Sequence, residues 1–306
     1  MLFQPVPTFI TPPAILGLGS MIIVGGTASK GLTKRLSKIM NVEIADVIIK
    51  RFPDQELYVR VMTKLEGRDV IIVQTTHPDE SLFELLMLQE AVKAQKPKSV
   101  TSVIPYFGYG RQDKIFNDGE VVTAEMIVRL IQAGTDRVML IDPHKEHIMN
   151  FFGVPVKSAT AVGPISDYLR GIKPDLILAP DIGAYPRVKE VAGVIGCHYD
   201  HLEKHRINGE TVEMEAKELN VDGKVVAIVD DIISTGGTMA AAIKQLKSQG
   251  AKAVYAACTH GLFVGGAIEK LTAAGCESVI ATDTIEGQFS FVSVAPVVAE
   301  ALGEKW

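Results

Sequence analysis

The sequence is short of cysteine, has no surplus of basic charge and carries no uninterrupted apolar run of membrane length; each shortage removes a class of protein. Three cysteines in 306 residues, Cys197, Cys258 and Cys276, have neither paired metal-ligand spacing nor the density of a disulfide scaffold. The expectation is a reduced, cytoplasmic chain. Cys258 lies in the apolar run 253–258 and reads as core, while Cys197 and Cys276 follow glycines near element ends and read as partly exposed. A formal charge of -5 at pH 7 gives no support to a nucleic-acid-binding surface. Residues 1–20 contain Pro5, Pro7, Pro12 and Pro13 and lack the basic start of a secretion signal. They read as an N-terminal arm or start-site extension, with no membrane partner expected. The 27 glycines and 15 prolines are spread among apolar runs, which is a globular composition.

What is there is organised around residues 225–238, VVAIVDDIISTGGT. Val225 to Val229 read as a buried strand of a mostly parallel sheet. Asp230 and Asp231 follow where the strand meets its loop, and Ser234, Thr235, Gly236, Gly237 and Thr238 lead into an Ala-rich helix. Hydroxyls and glycine amides at a helix entrance suit a phosphate, because unsatisfied N–H groups and the helix dipole both favour an anion. Two carboxylates beside it would repel that phosphate unless they face a cation or sugar hydroxyls. A phosphorylated sugar satisfies both demands. The bland alternative is a βα turn whose Asp, Ser and Thr residues cap a helix.

Other segments carry the same type of chemistry. In FPDQE, 52–56, alternation in an extended segment puts Asp54 and Glu56 on one side, with Phe52 able to stack on a flat ligand such as adenine. After a strand at 100–105, Arg111 offers a fork for phosphate and Gln112 an amide for a base edge. His144, just beyond a strand at 138–142 that ends on Asp142, offers a ring nitrogen to a divalent metal; His147 reads as structural. In PDIGAYPR, Asp181 can coordinate Mg²⁺ or orient its water, Gly183 and neighbouring amides can hold diphosphate oxygens, and Arg187 can compensate charge. In the polar stretch 198–209, read as an exposed loop, Lys204 and Arg206 are one residue apart and can grip a polyphosphate together. Taken singly, each segment also fits a solvated edge strand, a surface turn or a salt-bridged helix entrance. The order strand, loop, helix recurs in both halves, so the fold expected is α/β, with two related halves each built on a mostly parallel sheet flanked by helices. Ser81 and Glu84 read as the capping box of a helix near 81–92.

Together these motifs, over essentially 21–306, resemble the ribose-phosphate diphosphokinase (phosphoribosyl diphosphate synthetase) family in its archaeal-like form, whose domains have the phosphoribosyltransferase-type fold. The resemblance implies an ATP-dependent transfer of diphosphate to ribose 5-phosphate, assisted by Mg²⁺. It implies an ATP site at Phe52, Asp54, Glu56, Arg111 and Gln112 near a subunit boundary of a homodimer or higher homo-oligomer. It also implies a diphosphate loop at Asp181, Ile182, Gly183 and Ala184, a ribose 5-phosphate site at Asp230, Asp231 and Ser234 to Thr238, metal contacts at His144 and Asp181, and catalytic Lys204 and Arg206 on a flexible loop. The implied domains are 21–157 with 290–306, for nucleotide, and 158–289, for ribose phosphate and diphosphate. The competing readings are a phosphoribosyltransferase that consumes the diphosphate product and a noncatalytic regulatory homologue.

Overall fold

The computed structural model describes residues 20–202 and 220–306 and, as backbone only, 204–206 and 212–214. The expected arm therefore lies, apart from Ser20, outside the described residues. Apolar runs rich in Val and Ile make the strands, and in the first half these are β1 (Met21–Gly25), β2 (Glu43–Ile44), β3 (Val47–Arg51), β4 (Leu57–Val61), β5 (Asp69–Val73), β6 (Ser99–Ile104), β7 (Arg137–Ile141) and β8 (Val156–Ala159). They are interleaved with helices α1 (Lys30–Met40), α2 (Asp79–Lys93) and α3 (Thr123–Gln132). The second half carries α4 (Val162–Ile172), β9 (Leu176–Ala179), α5 (Tyr185–Ile195), β10 (His198–His201), β11 (Lys204–Arg206), β12 (Val212–Met214), β13 (Val225–Ile233), α6 (Gly237–Ser248), β14 (Ala253–Gly261), α7 (Ala267–Ala273), β15 (Ser278–Thr282) and β16 (Ser290–Val292), before α8 (Ala295–Gly303).

Each half has a six-stranded parallel sheet, and the strand orders are β2-β1-β5-β6-β7-β8 and β10-β9-β13-β14-β15-β16. Counted along each half the order is the same, and each half inserts an antiparallel two-stranded ribbon, β3–β4 or β11–β12, at the same point. The expected repeat is thus present as topology. A single apolar cluster joins the sheets: Ile23, Val73, Val103 and Met139 of the first and Ile177, Ala227, Val229 and Ile280 of the second share it with α1, α4, α5 and α8. Separate clusters lie under α2 and α3 on the outer face of the first sheet and under α6 and α7 on that of the second.

The chain crosses back to the first half between β16, the edge strand of the second sheet, and α8, which packs on α1 and β8. Asp283 fixes the crossing. Its carboxylate accepts from Ser293 Oγ at 2.6 Å and the Val294 amide at 2.8 Å, and takes the Arg35 guanidinium of α1 at 2.8 Å. Glu286 adds a second clasp by accepting the Leu32 amide at 2.6 Å.

Several local expectations need correction. FPDQE is the turn of the β3–β4 hairpin, not an extended segment: Gln55 adopts φ 75° and the Phe52 amide bonds the Glu56 carbonyl at 2.9 Å. The α2 helix begins at Asp79 behind Pro78, so Ser81 and Glu84 form no capping box. Buried Glu84 instead accepts Thr27 N and Thr27 Oγ1, both at 2.6 Å, and Gln74 Nε2 at 3.0 Å. Residues 198–201 are not loop but the edge strand β10, polar because an edge strand needs no apolar face on its open side. The strands β13 and β14 run to Ile233 and Gly261, past the expected ends at Val229 and Cys258, which places Asp230 and Asp231 within a strand. Cys258 is buried, and Cys197 and Cys276 are half-buried, as expected.

Leu36 on α1 is fully buried in the cluster that joins the halves. Leu36→Ala should lower stability by about 2–5 kcal/mol, read as an earlier midpoint in urea denaturation. An unchanged midpoint would contradict a closed core between the sheets.

Candidate active site

Open α/β sheets bind ligands outside the carboxyl ends of their strands, where loops diverge and helix N-termini point inward. Here the ends of β7 and β8 from the first half meet those of β9 and β13 from the second around a cavity of ≈ 1420 Å³. Its lining includes Arg111, His144, Asp181 to Ala184, Arg187, Asp230, Asp231 and Ser234 to Thr238. Residues read from four separate segments therefore share one cleft.

Asp230 and Asp231 are half-buried in β13 between the buried runs 226–229 and 232–233, where the sheet limits the water that can solvate two adjacent charges. Burial, and then the charges of Asp231 and Asp181, push the Asp230 carboxyl well above its ordinary range. Asp231 goes the other way. Burial would raise it, but the hydrogen bond and charge of His144 outweigh that and hold its carboxyl below the usual range. His144 Nδ1 lies 2.6 Å from Asp231 Oδ2, a bond that joins the loop after β7 to the strand of the opposite half. With Nδ1 turned to a carboxylate, Nε2 is the nitrogen that remains for a ligand. The loop expected to take ribose 5-phosphate is built on Gly236, whose φ of 71° leads into the first turn of α6. The amides of that turn have no partner within the helix.

The diphosphate-type loop after β9 is a 3₁₀ turn, Ile182 to Ala184, capped by its own aspartate: Asp181 Oδ1 accepts the Gly183 and Ala184 amides at 3.0 and 3.3 Å. Those two amides are the groups expected to meet diphosphate oxygens. The loop therefore binds a carboxylate now and can bind a phosphate only when Asp181 lets go. Arg187, on the first turn of α5, donates Nη1 to Asp142 Oδ2 at 2.8 Å.

Four of the expected residues lie away from this cavity. Gln112 donates its side-chain amide to Lys114 O at 3.2 Å and Glu120 Oε2 at 3.0 Å, bracing its own loop. Phe52, Asp54 and Glu56 sit on the β3–β4 turn and do not line the cavity, and Phe52 makes an edge contact with Tyr58. The side chains of Lys204 and Arg206 lie outside the described residues; the backbone of 204–206 pairs antiparallel with 212–214. His147 pairs with Asp113 at 3.0 Å, which fits its structural reading.

Sequence reasoning passed over Thr259 and His260, which stand at the carboxyl end of β14. Both are buried. Thr259 Oγ1 donates to Asp142 Oδ2 at 2.8 Å, and His260 Nε2 lies 3.1 Å from the Asp142 carbonyl. Their position at a strand end was the available signal.

Comparison with known proteins agrees with this geometry. The N-terminal domain of ribose phosphate pyrophosphokinase matches residues 21–134, and a phosphoribosyl transferase domain matches 158–286. The ribose-phosphate pyrophosphokinase of Methanopyrus kandleri is 40% identical over 92% of this chain and 98% of its own, and that of Methanosarcina mazei is 42% identical over 92% and 94%. The crystal structure of phosphoribosylpyrophosphate synthetase from Mycobacterium smegmatis superposes with a TM-score of 0.81 at 26% identity, covering 92% of this chain and 97% of that one. Two phosphoribosyltransferase-type domains, docked so that their strand ends face one cleft, define the class. Within it the chain belongs to the ribose-phosphate pyrophosphokinase family.

A Cβ on Gly236 would stand 3.2 Å from the Ala267 carbonyl oxygen and Cβ, in a backbone region that disfavours side chains, whereas one on Gly237 meets nothing within 4 Å. Gly236→Ala should cost about 1–2 kcal/mol, a fall in Tm of several degrees, and weaken binding of inorganic phosphate by calorimetry. Gly237→Ala should leave Tm level or raise it. Equal Tm values and equal phosphate affinity in the two variants would remove the left-handed requirement at 236.

Proposed function

We infer that the cleft transfers the β,γ-diphosphoryl group of ATP to the anomeric hydroxyl of ribose 5-phosphate, giving 5-phospho-α-D-ribose 1-diphosphate and AMP. The observation that carries this is the shared cavity: a carboxylate pair, a glycine-bearing helix entrance and a second amide loop face one another, in a chain related along most of its length to ribose-phosphate pyrophosphokinases. Ribose hydroxyls donate to Asp230 and Asp231, and the 5-phosphate sits against Ser234 to Thr238 at the N-terminus of α6. The diphosphate loop, Asp181 to Ala184, receives the transferred group. The anomeric oxygen attacks the β-phosphorus and AMP leaves. The first domain, 21–157 with the tail, handles nucleotide, and 158–289 handles sugar phosphate and diphosphate.

The residues present fit a magnesium ion. Burial first, and then the charges of Asp231 and Asp181, push Asp230 up, and the carboxylates of all three line one cavity, where a cation offsets their crowding. Among the described residues no three side chains of His, Cys, Asp or Glu already form a cage, which suits an ion that keeps waters and takes substrate phosphate oxygens. His144 and Asp181 would hold it, and when bound it supplies charge neutralisation to the polyphosphate. With Asp181 as its ligand, the Gly183 and Ala184 amides would be left to phosphate oxygens.

The one-residue spacing of Lys204 and Arg206 in the sequence lets two basic groups serve one polyphosphate, which supports a catalytic role for both at the transferred group. There both can neutralise charge that moves during transfer. Arg111, on the cavity wall, contacts ATP phosphate. The β3–β4 turn leaves Phe52 43% exposed, with Ile48 and Met62 also exposed on the same hairpin. That apolar surface supports a homodimer or higher homo-oligomer, in which the turn of one subunit, with Asp54 and Glu56, completes the nucleotide site of another, with Gln112 beside it. No helix among the described residues is long and apolar enough to cross a membrane.

Incubation with ATP, ribose 5-phosphate and Mg²⁺ should yield equimolar AMP and phosphoribosyl diphosphate; chelation should stop it and fresh Mg²⁺ restore it. ADP with a bisphosphorylated sugar would overturn the reaction. Lys204→Ala and Arg206→Ala should each lower kcat by about 10²-fold or more with little change in stability, while His205→Ala does much less. Near-native kcat in both folded variants would leave the ribbon without a catalytic part. Arg111→Ala should raise KM for ATP and leave circular dichroism unchanged; an unaltered KM and kcat would take Arg111 out of the nucleotide site.

A further inference from the structure

Asp142 closes β7 in a left-handed conformation, φ 39°, that is unusual for a residue with a side chain, and it is 7% exposed. One carboxylate oxygen, Oδ2, accepts three donors: the Ala161 amide, between β8 and α4, at 3.0 Å, Thr259 Oγ1 of the second half at 2.8 Å, and Arg187 Nη1 of the second at 2.8 Å. Its carbonyl faces His260 Nε2 at 3.1 Å. Burial would raise this carboxyl, but Arg187, the Ala161 amide and Thr259 outweigh it and hold it ionised.

Arg187 is 18% exposed at its side chain, lines the cavity, and stands on the helix that follows the diphosphate loop. A guanidinium has five donors in a rigid fork, so one arm on Asp142 leaves others for an anion. The carboxylates of Asp181, Asp230 and Asp231 line the same cavity. An unrestrained arginine would pair with them and cover the groups that must meet sugar and metal. A purely structural ion pair has no reason to stand on the wall of the cleft.

We propose that Asp142 is a positioning residue that reaches across the two halves to hold Arg187 off the sugar carboxylates and beside the diphosphate loop, where Arg187 is a further ligand of the transferred diphosphoryl group. The proposal rests on the diphosphokinase reading for its catalytic consequence, and on geometry alone for the anion. It makes the first half a participant in diphosphate handling by the second.

The test is a double-substitution cycle on Asp142→Asn and Arg187→Met, read both as kcat and as the affinity for inorganic diphosphate with Mg²⁺ by calorimetry. In the native background D142N should lower kcat and diphosphate affinity by about tenfold; in the R187M background it should cost less than about twofold. Because R187M leaves a buried carboxylate unpaired, D142N/R187M, with neither charge, supplies the same comparison against D142N if the single variant folds poorly. There the loss of Arg187 should still weaken diphosphate binding. Equal losses from D142N in both backgrounds, or native diphosphate affinity in R187M and in the double variant, would overturn the proposal. The diphosphate titration needs no turnover, so a wild-type protein that makes no AMP would sink the reaction assignment while the cycle still tests Arg187.

Discussion

Ionised carboxylates at the buried ends of parallel strands are the constraint on which this molecule depends. A charge taken out of water is tolerated only when paired and hydrogen-bonded, and removing one partner leaves a costly orphan. Asp142 and Asp231 both meet this demand with groups from the opposite half, Arg187 and Thr259 for the former and His144 for the latter. Neither half could be pulled away without stranding a buried charge. The docking of the domains and the assembly of the cleft are therefore one event.

The remaining contacts between the halves reinforce that arrangement from the other side. The clasp of Asp283 on Arg35 and of Glu286 on the Leu32 amide draws the β15–β16 connection onto α1, while α8 returns to pack beside it. Apolar burial supplies non-directional attraction, and the carboxylates supply register. Rigid alignment matters for a reaction in which the protein contributes mainly position and charge, because a phosphoryl acceptor and donor held in line remove much of the entropic barrier.

How much could be read from residues alone follows from how local the information is. The stretch 225–238 declared a strand, two carboxylates and a phosphate-type helix entrance within fourteen residues; the strand and helix start where they were expected, but the strand runs four residues longer and takes in both carboxylates. The parallel sheets and their repeat were legible because apolar runs and βα turns carry short-range signals. FPDQE was misread because its alternation mimics a strand, while Gln55 takes a left-handed turn that only the hairpin pairing reveals. Glu84 was misread because its partners, Thr27 and Gln74, are separated from it in sequence by far more than a helical turn. Asp142, Thr259 and His260 were passed over for the same reason in stronger form: the Asp142 contacts span 117 and 118 residues, a distance across which no sequence periodicity runs.

The equivalence of the two sheets places the loop after β1 in the same station as the loop after β9, and the two stations are filled differently. After β9 the amides of Gly183 and Ala184 are held by the adjacent Asp181, a tether of two or three residues that a stronger anion can displace. After β1 the amides of Thr27 and Ala28 are taken by Glu84 from α2 and Gln74 from the end of β5, both buried and mutually bonded. The first copy thus fills its loop with side chains from other elements, while the second is closed by its own aspartate. The doubled scaffold therefore has two equivalent mouths stopped to different degrees, and the one after β9 opens by moving one side chain rather than a buried pair.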